Sequence, residues 1–193
     1  MPAKTIFVMG PTCAGKSTFL NAAVDEFGSK VGLVQVGKIL RERYSPEHFA
    51  GQAGPEHTEQ EAWSIFEEEY QRLEAQGCRV ILVDGMPRNR SQVHKCLSYF
   101  NAFTDDLFLL LDAPKDIREH RARESRSGSD LHDLTLPRLT NDMIACYEVI
   151  AELVSYCPVT DIVGLDTSNT DGLEPRELFA PFFESEIAGV ING

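Results

Sequence analysis

Nine residues near the start of the chain constrain the fold more than any others: Gly10-Pro11-Thr12-Cys13-Ala14-Gly15-Lys16-Ser17-Thr18. They satisfy the pattern G-x-x-x-x-G-K-[ST], and physical chemistry accounts for each fixed position. Glycines let the backbone wrap tightly, so that successive N–H groups point into one concavity and meet an anion. A lysine at the end of the wrap can reach the β and γ phosphates of a nucleotide. The hydroxyl after it can ligate Mg²⁺. The context supports this reading. Thr5-Ile6-Phe7-Val8-Met9 is a short apolar, β-branched run that reads as a buried strand. From Ser17 to Phe27, Leu20, Ala23, Val24 and Phe27 recur at helical spacing, and Gly28 stops the helix. A strand, a glycine loop and a helix in that order place the loop against the positive end of the helix. Gly10, Thr12, Cys13, Ala14, Gly15, Lys16, Ser17 and Thr18 are therefore the expected ATP-binding set.

Strand and helix signals then alternate along the chain. Further strands are expected at Leu33–Val36, Val80–Val83, Leu107–Leu111 and Val159–Leu165. Helices are expected at Gly37–Tyr44, Thr58–Gln76, Pro137–Tyr156 and Leu173–Val190, the last kinked at Pro181. This alternation predicts an α/β P-loop fold: a five-stranded parallel sheet flanked by helices on both faces. At 193 residues the chain suits one domain, 1–193. Within it, residues 37–77 are expected to form a helical acceptor-binding segment and 123–135 a short lid. The polar, glycine-containing stretches Ser45–His57 and Arg123–Thr135 read as covers that open and close.

Charge narrows the partners. A net charge of -12 gives no electrostatic reason to hold nucleic acid or an anionic membrane. Yet half of the 18 basic residues fall between Arg88 and Arg138, as expected of a protein that grips phosphate in one place. Arg118 and Arg121 share a helix face by spacing, as do Arg123 and Arg126, and guanidinium forks suit phosphate oxygens. The 5 cysteines and 5 histidines show no metal-ligand spacing. Free thiols, no leader and no membrane-length apolar run point to a cytoplasmic protein, expected as a monomer.

Asp84-Gly85-Met86-Pro87-Arg88 closes the third strand. A carboxylate there can hold the water shell of a magnesium ion, and Arg88 can project toward a phosphate. Leu111-Asp112-Ala113-Pro114 closes the fourth. Taken with Gly10–Thr18, Gly37-Lys38-Ile39-Leu40-Arg41-Glu42, Gln92, Arg121 and Arg138-Leu139, these turns give a sequence that resembles the adenylate kinase-like nucleoside monophosphate kinases over nearly its whole length. The resemblance implies reversible transfer of the γ-phosphoryl group of Mg-ATP to a nucleoside monophosphate. It implies that Gly37, Arg41, Gly85, Met86, Arg88 and Gln92 bind the acceptor. Arg121 and Asn169 would lie on the ATP side. Arg126 and Arg138 would be lid and post-lid arginines beside the transferring group, touching the acceptor too, and Lys16, Arg88 and Arg121 would complete the catalytic set. Magnesium would arrive with ATP, held by Ser17 and, through water, by Asp84. Gln92 favours AMP, because a carboxamide can accept from the adenine N6 amino group and donate to N1. UMP/CMP kinase and a P-loop small-metabolite kinase stand as alternatives. A non-catalytic nucleotide-binding module is the alternative of another class.

The sequence departs from the family at Val36 and Lys38, where a hydroxyl residue and an aspartate are usual, and along Ser45–Glu61 and Ser125–Asp130.

Overall fold

Side chains along a strand alternate between its two faces, so each buried strand here must satisfy two cores. Ile6 and Val8 of β1 (Lys4–Met9) face one layer while Phe7 and Met9 face the other. The computed structural model describes residues 3–43, 56–100, 106–125, 132–156, 161–169 and 172–193. It shows five parallel strands in the order β2-β3-β1-β4-β5. The others are β2 (Val31–Gln35), β3 (Val80–Asp84), β4 (Leu107–Asp112) and β5 (Ile162–Asp166). The expected α/β P-loop sheet is therefore present, with the chain's first strand at its centre.

The helices are α1 (Lys16–Phe27), α2 (Val36–Arg43), α3 (Glu56–Ala75), α4 (Arg90–Tyr99), α5 (Lys115–Ser125), α6 (His132–Val154), α7 (Pro175–Phe182) and the short α8 (Gly189–Asn192). One core packs Phe66, Tyr70 and Leu73 of α3, Val93 and Cys96 of α4, and Val149 and Leu153 of α6 against Phe7, Ile81, Val83 and Phe108. The opposite core packs Phe19 and Leu20 of α1 and Phe179 and Phe182 of α7 against Ile6, Val8, Leu82 and Leu109. Phe19 meets the rings of Phe179 and Phe182 edge-on, at 5.1 and 5.5 Å between centroids. Polar pairs tie distant parts of the chain. The buried Thr5 and Tyr70 hydroxyls lie 2.9 Å apart, and Lys4 Nζ donates to Glu186 at 2.8 Å.

Three elements differ from the sequence reading. The helix α4 was not expected, although its start is marked: Asn89 caps it, accepting from Gln92 N–H at 2.9 Å. The helix α6 begins at His132 and carries Pro137 inside it, five residues before the expected start. In the last helix Pro181 has no N–H to give the preceding turn. The chain widens into π-type turns over Phe183–Ala188 before tightening again in α8. Glu174 rather than Leu173 starts that arm, as the capping box with Glu177 shows.

Candidate active site

The carboxyl ends of β1, β3 and β4 converge, and register fixes how. Val8 stands opposite Asp84, and Met9 opposite Leu110. The chain leaves β1 at Gly10 with φ +138, then has positive φ at Cys13 (+64) and Gly15 (+92). Backbones of alternating hand line a concavity with N–H groups, which suits the loop to hold anionic oxygens. Gly10 must be glycine for a second reason. A Cβ there would stand 2.1 Å from the carbonyl oxygen of Leu111. The loop is thus pressed against the end of β4. Cys13 is a neutral filler by sequence, but among the described residues it is the one non-glycine with positive φ. The demand at that position falls on its backbone rather than its thiol.

Lys16 heads α1, and its ammonium donates to the carbonyls of Gly10 at 2.6 Å and Pro11 at 2.9 Å. Burial lowers its pKa below the ordinary lysine value. Asp84 opposes that shift and Arg88 adds to it. A phosphate entering the loop would replace the two carbonyls as partner and restore the preference for charge.

An open cleft runs from this loop to the turn after β3. Gly10, Thr12 and Lys16 line one side, Gly85, Met86, Pro87 and Arg88 the other, and Asp142, Ala145 and Cys146 of α6 form the wall between them. Arg88 is held by its own turn, its Nε donating to Gly85 O at 2.9 Å. The Met86–Pro87 peptide is cis. Gln92 is only 6% exposed, and its Oε1 accepts from Arg88 N–H at 2.7 Å. Asn89 reaches Glu59 of α3. The carboxamide assigned to reading a base therefore braces the arginine turn.

On the far side of the loop, Arg121 donates to Cys13 O at 3.3 Å and to Thr167, by Nη1 to the hydroxyl at 3.3 Å and by Nη2 to the carbonyl. The Thr167 hydroxyl lies 3.0 Å from both Ala14 O and Asp112 O. Asn169 is exposed two residues further on. Arg118, expected to share a face with Arg121, does not reach the cleft: it is 3% exposed and lies in the α5–α6 interface. Three residues along a helix also advance the chain by about 4.5 Å, enough to carry one arginine under the loop and the other beneath α6.

Ser17 is exposed at the start of α1, and Asp84 closes β3 beside Lys16. A hydroxyl and a carboxylate are hard oxygen donors suited to Mg²⁺. Among the described residues no group of three His, Cys, Asp or Glu is placed to hold a metal ion. Gly37 is the second residue of α2, just past the carboxyl end of β2, with the backbone of Arg41 one turn on, and Thr18 follows Ser17 in α1. The side chains of Arg41 and Arg138 and all of Arg126 lie outside the described residues, as do 126–131 of the expected lid and Ser45–Pro55.

The sequence reading did not single out Asp142 or Thr167. Asp142 accepts a short hydrogen bond from the Thr12 hydroxyl of the loop. Neither residue sits in a motif, and only the packing of α6 and β5 against the loop brings them there. Cys13, Cys78, Cys96 and Cys146 are free thiols. Among the described residues no helix is long and apolar enough to cross a membrane.

No curated protein matches the chain. Among solved structures it is similar to the unliganded crystal structure of a sugar kinase from Janibacter sp. HTCC2649, with 18% identity, a TM-score of 0.58 and 98% of each chain covered. At that identity the likeness is one of fold. A family model described as an AAA domain matches residues 9–135. That match runs from the last residue of β1 past the end of α5 and takes in the phosphate loop, the Asp84–Arg88 turn and Arg121, and the chain accordingly belongs to the AAA domain family.

Proposed function

We propose that this protein transfers the γ-phosphoryl group of Mg-ATP to a nucleoside monophosphate, AMP foremost, with ADP and a nucleoside diphosphate as products. One observation carries the reading. Lys16 of the loop and Arg88 of the β3 turn face one cleft from different elements, close enough that Arg88 disfavours charge on Lys16. Two cations that repel each other across an open cleft suit two phosphate groups brought together between them. In this reading the loop N–H groups and Lys16 hold the triphosphate, and Arg121 and the turn at Asn169 flank the nucleoside. Ser17 and, through water, Asp84 would hold the magnesium that arrives with ATP, and that ion would supply charge neutralisation on the phosphates. Arg88 orients the acceptor phosphate. Arg41, Arg126 and Arg138 join it through the family resemblance. A monophosphate already carries an anionic oxygen, so positioning and neutralisation suffice and no base is required. We place the enzyme in the cytoplasm as a monomer.

A second reading has its own support. Asp142 lines the same cleft, and a carboxylate there could take the proton of an acceptor hydroxyl. The fold neighbour is described as a sugar kinase, and Gln92 is occupied with Arg88 N–H. A hydroxyl-bearing small metabolite is therefore the alternative acceptor.

Coupled ADP production separates the readings, with Mg-ATP and AMP, CMP, UMP, GMP, dTMP or a panel of sugars offered in turn. Stimulation by a monophosphate supports the first reading and stimulation by a sugar alone the second. No stimulation by any acceptor leaves a nucleotide-binding module. In the first case Arg88→Ala loses turnover by about 100-fold or more while remaining folded, because the arginine acts on charge that develops in transfer.

A further inference from the structure

Arg118 carries a buried polar atom that the described residues leave without a partner. It is 3% exposed, and its guanidinium has lost nearly all contact with water. Its Nε donates to Ala113 O at 3.0 Å, and its Nη2 lies 3.3 Å from the sulfur of Met143, a weak acceptor. Its Nη1 is buried with no partner. Among the described residues no carboxylate pairs with it. The Asp112 carboxylate, on the turn that precedes α5, is engaged by Ala113 N–H at 2.8 Å and the Tyr147 hydroxyl at 3.2 Å. An arginine keeps its charge on burial, so among the described residues it is an interior cation without a paired carboxylate. An apolar side chain of the same volume would pack there without that cost.

The position of the charge suggests its use. Met143, which Arg118 touches, is next to Asp142 and one turn from Cys146, and both of those line the cleft. Cys146 lies within the field of Lys16, of the Asp112 carboxylate and of Arg118. Arg118 therefore touches α6 at the residue next to one that lines the cleft.

We propose that Arg118 is a positioning residue whose buried charge supports the phosphate site without touching its ligand, acting on the polyphosphate anion held by Gly10–Thr18. The inference rests on the phosphate-binding reading of that loop. It assigns Arg118 a role without contact with the ligand: it holds α6 at Met143 and raises the potential in the cleft. Because the charge is shielded from solvent, its pull on the anion persists in salt that screens exposed lysines and arginines.

The test measures binding of magnesium-free ATP and of inorganic tripolyphosphate by titration calorimetry, at low and high salt, with thermal unfolding alongside. The proteins are the wild type, Arg118→Met and Arg118→Lys. Arg118→Met is expected to unfold at the wild-type temperature or above, yet to bind both ligands on the order of tenfold more weakly at either salt concentration. Arg118→Lys restores most of the affinity. Unchanged affinity in Arg118→Met overturns the proposal while leaving the loop's role intact. A lower unfolding temperature together with lost binding that Arg118→Lys does not restore shows a purely structural arginine, and also overturns it. If the wild type binds neither ligand, the phosphate-binding reading of the loop itself fails and the proposal falls with it.

Discussion

Replacing Gly10 with alanine tests whether the phosphate loop is shaped by its own backbone or by the strand it presses on. The added Cβ would sit 2.1 Å from Leu111 O and 3.2 Å from the carbonyl carbon of Leu111. A carbon and a carbonyl oxygen normally keep about 3.3 Å apart, so β1 and β4 would have to separate by roughly an ångström where they are hydrogen-bonded neighbours. A φ of +138 adds a conformational penalty that glycine escapes. Strain of about 1–3 kcal/mol from the backbone and about 1–3 kcal/mol from overpacking gives a loss of about 2–6 kcal/mol. Gly77 supplies the control. It has φ +82 and nothing within 4 Å of the added carbon, so Gly77→Ala bears the backbone term alone, about 1–2 kcal/mol. Urea unfolding of both variants measures the difference, and nucleotide binding by the folded fraction shows whether the loop has moved. Gly10→Ala should lose more stability than Gly77→Ala and bind weakly even where it is folded. Equal losses, or wild-type binding by Gly10→Ala, would show that the pressure of β4 does not set the loop.

Two further outcomes follow from buried polar groups. Gln92→Leu should cost about 1–3 kcal/mol by leaving Arg88 N–H without its acceptor, and should lower turnover with every acceptor alike. A changed preference among monophosphates with stability intact would make Gln92 a base reader instead. Burial pushes the Tyr70 hydroxyl from 10.0 to about 12 and the Cys96 thiol from 9.0 to about 12. Each group binds its proton more tightly in the folded chain than in the unfolded one. The stability this contributes is complete below about pH 9 and is lost as pH climbs toward 12. Urea midpoints measured across that range should fall steeply for the wild type and less steeply for Tyr70→Phe and Cys96→Ala. Parallel curves would remove both groups from the account.

What the sequence revealed divides along physical lines. The loop was legible because its motif specifies backbone geometry, and geometry of that kind is written in glycines. The strands were legible because Ile6, Phe7, Val8 and Met9 must be apolar on both faces. The helix α4 went unread although Asn89 and Gln92 stand three apart at its start, the spacing of an N-terminal cap, because its apolar residues Val93, Cys96 and Leu97 are few. Gln92 was read as the group that meets a base, and its hydrogen bond from Arg88 N–H depends on the geometry of a turn that no local pattern states. Arg118 and Arg121 share a face by spacing, yet one is entombed and the other touches the loop. Spacing gives an angle around the helix axis and says nothing about what waits at each height. Asp142 and Thr167 reach the loop from positions 130 and 153 residues away from their partners there, beyond what any local pattern encodes.

That last distance has a consequence in time. Gly10–Thr18 leaves the ribosome well before its outer partner: the Thr167 hydroxyl that lies against Ala14 O and Asp112 O emerges 153 residues after Ala14. At about 5–20 residues per second the loop waits roughly 8–30 s for the strand that completes its outer side. Its own strand, β1, waits as well, since β3 and β4 must both arrive to flank it. The loop is thus made well before the residues that surround it. A ligand of the loop has no completed cradle to enter until β4, β5 and Thr167 have followed it out of the ribosome.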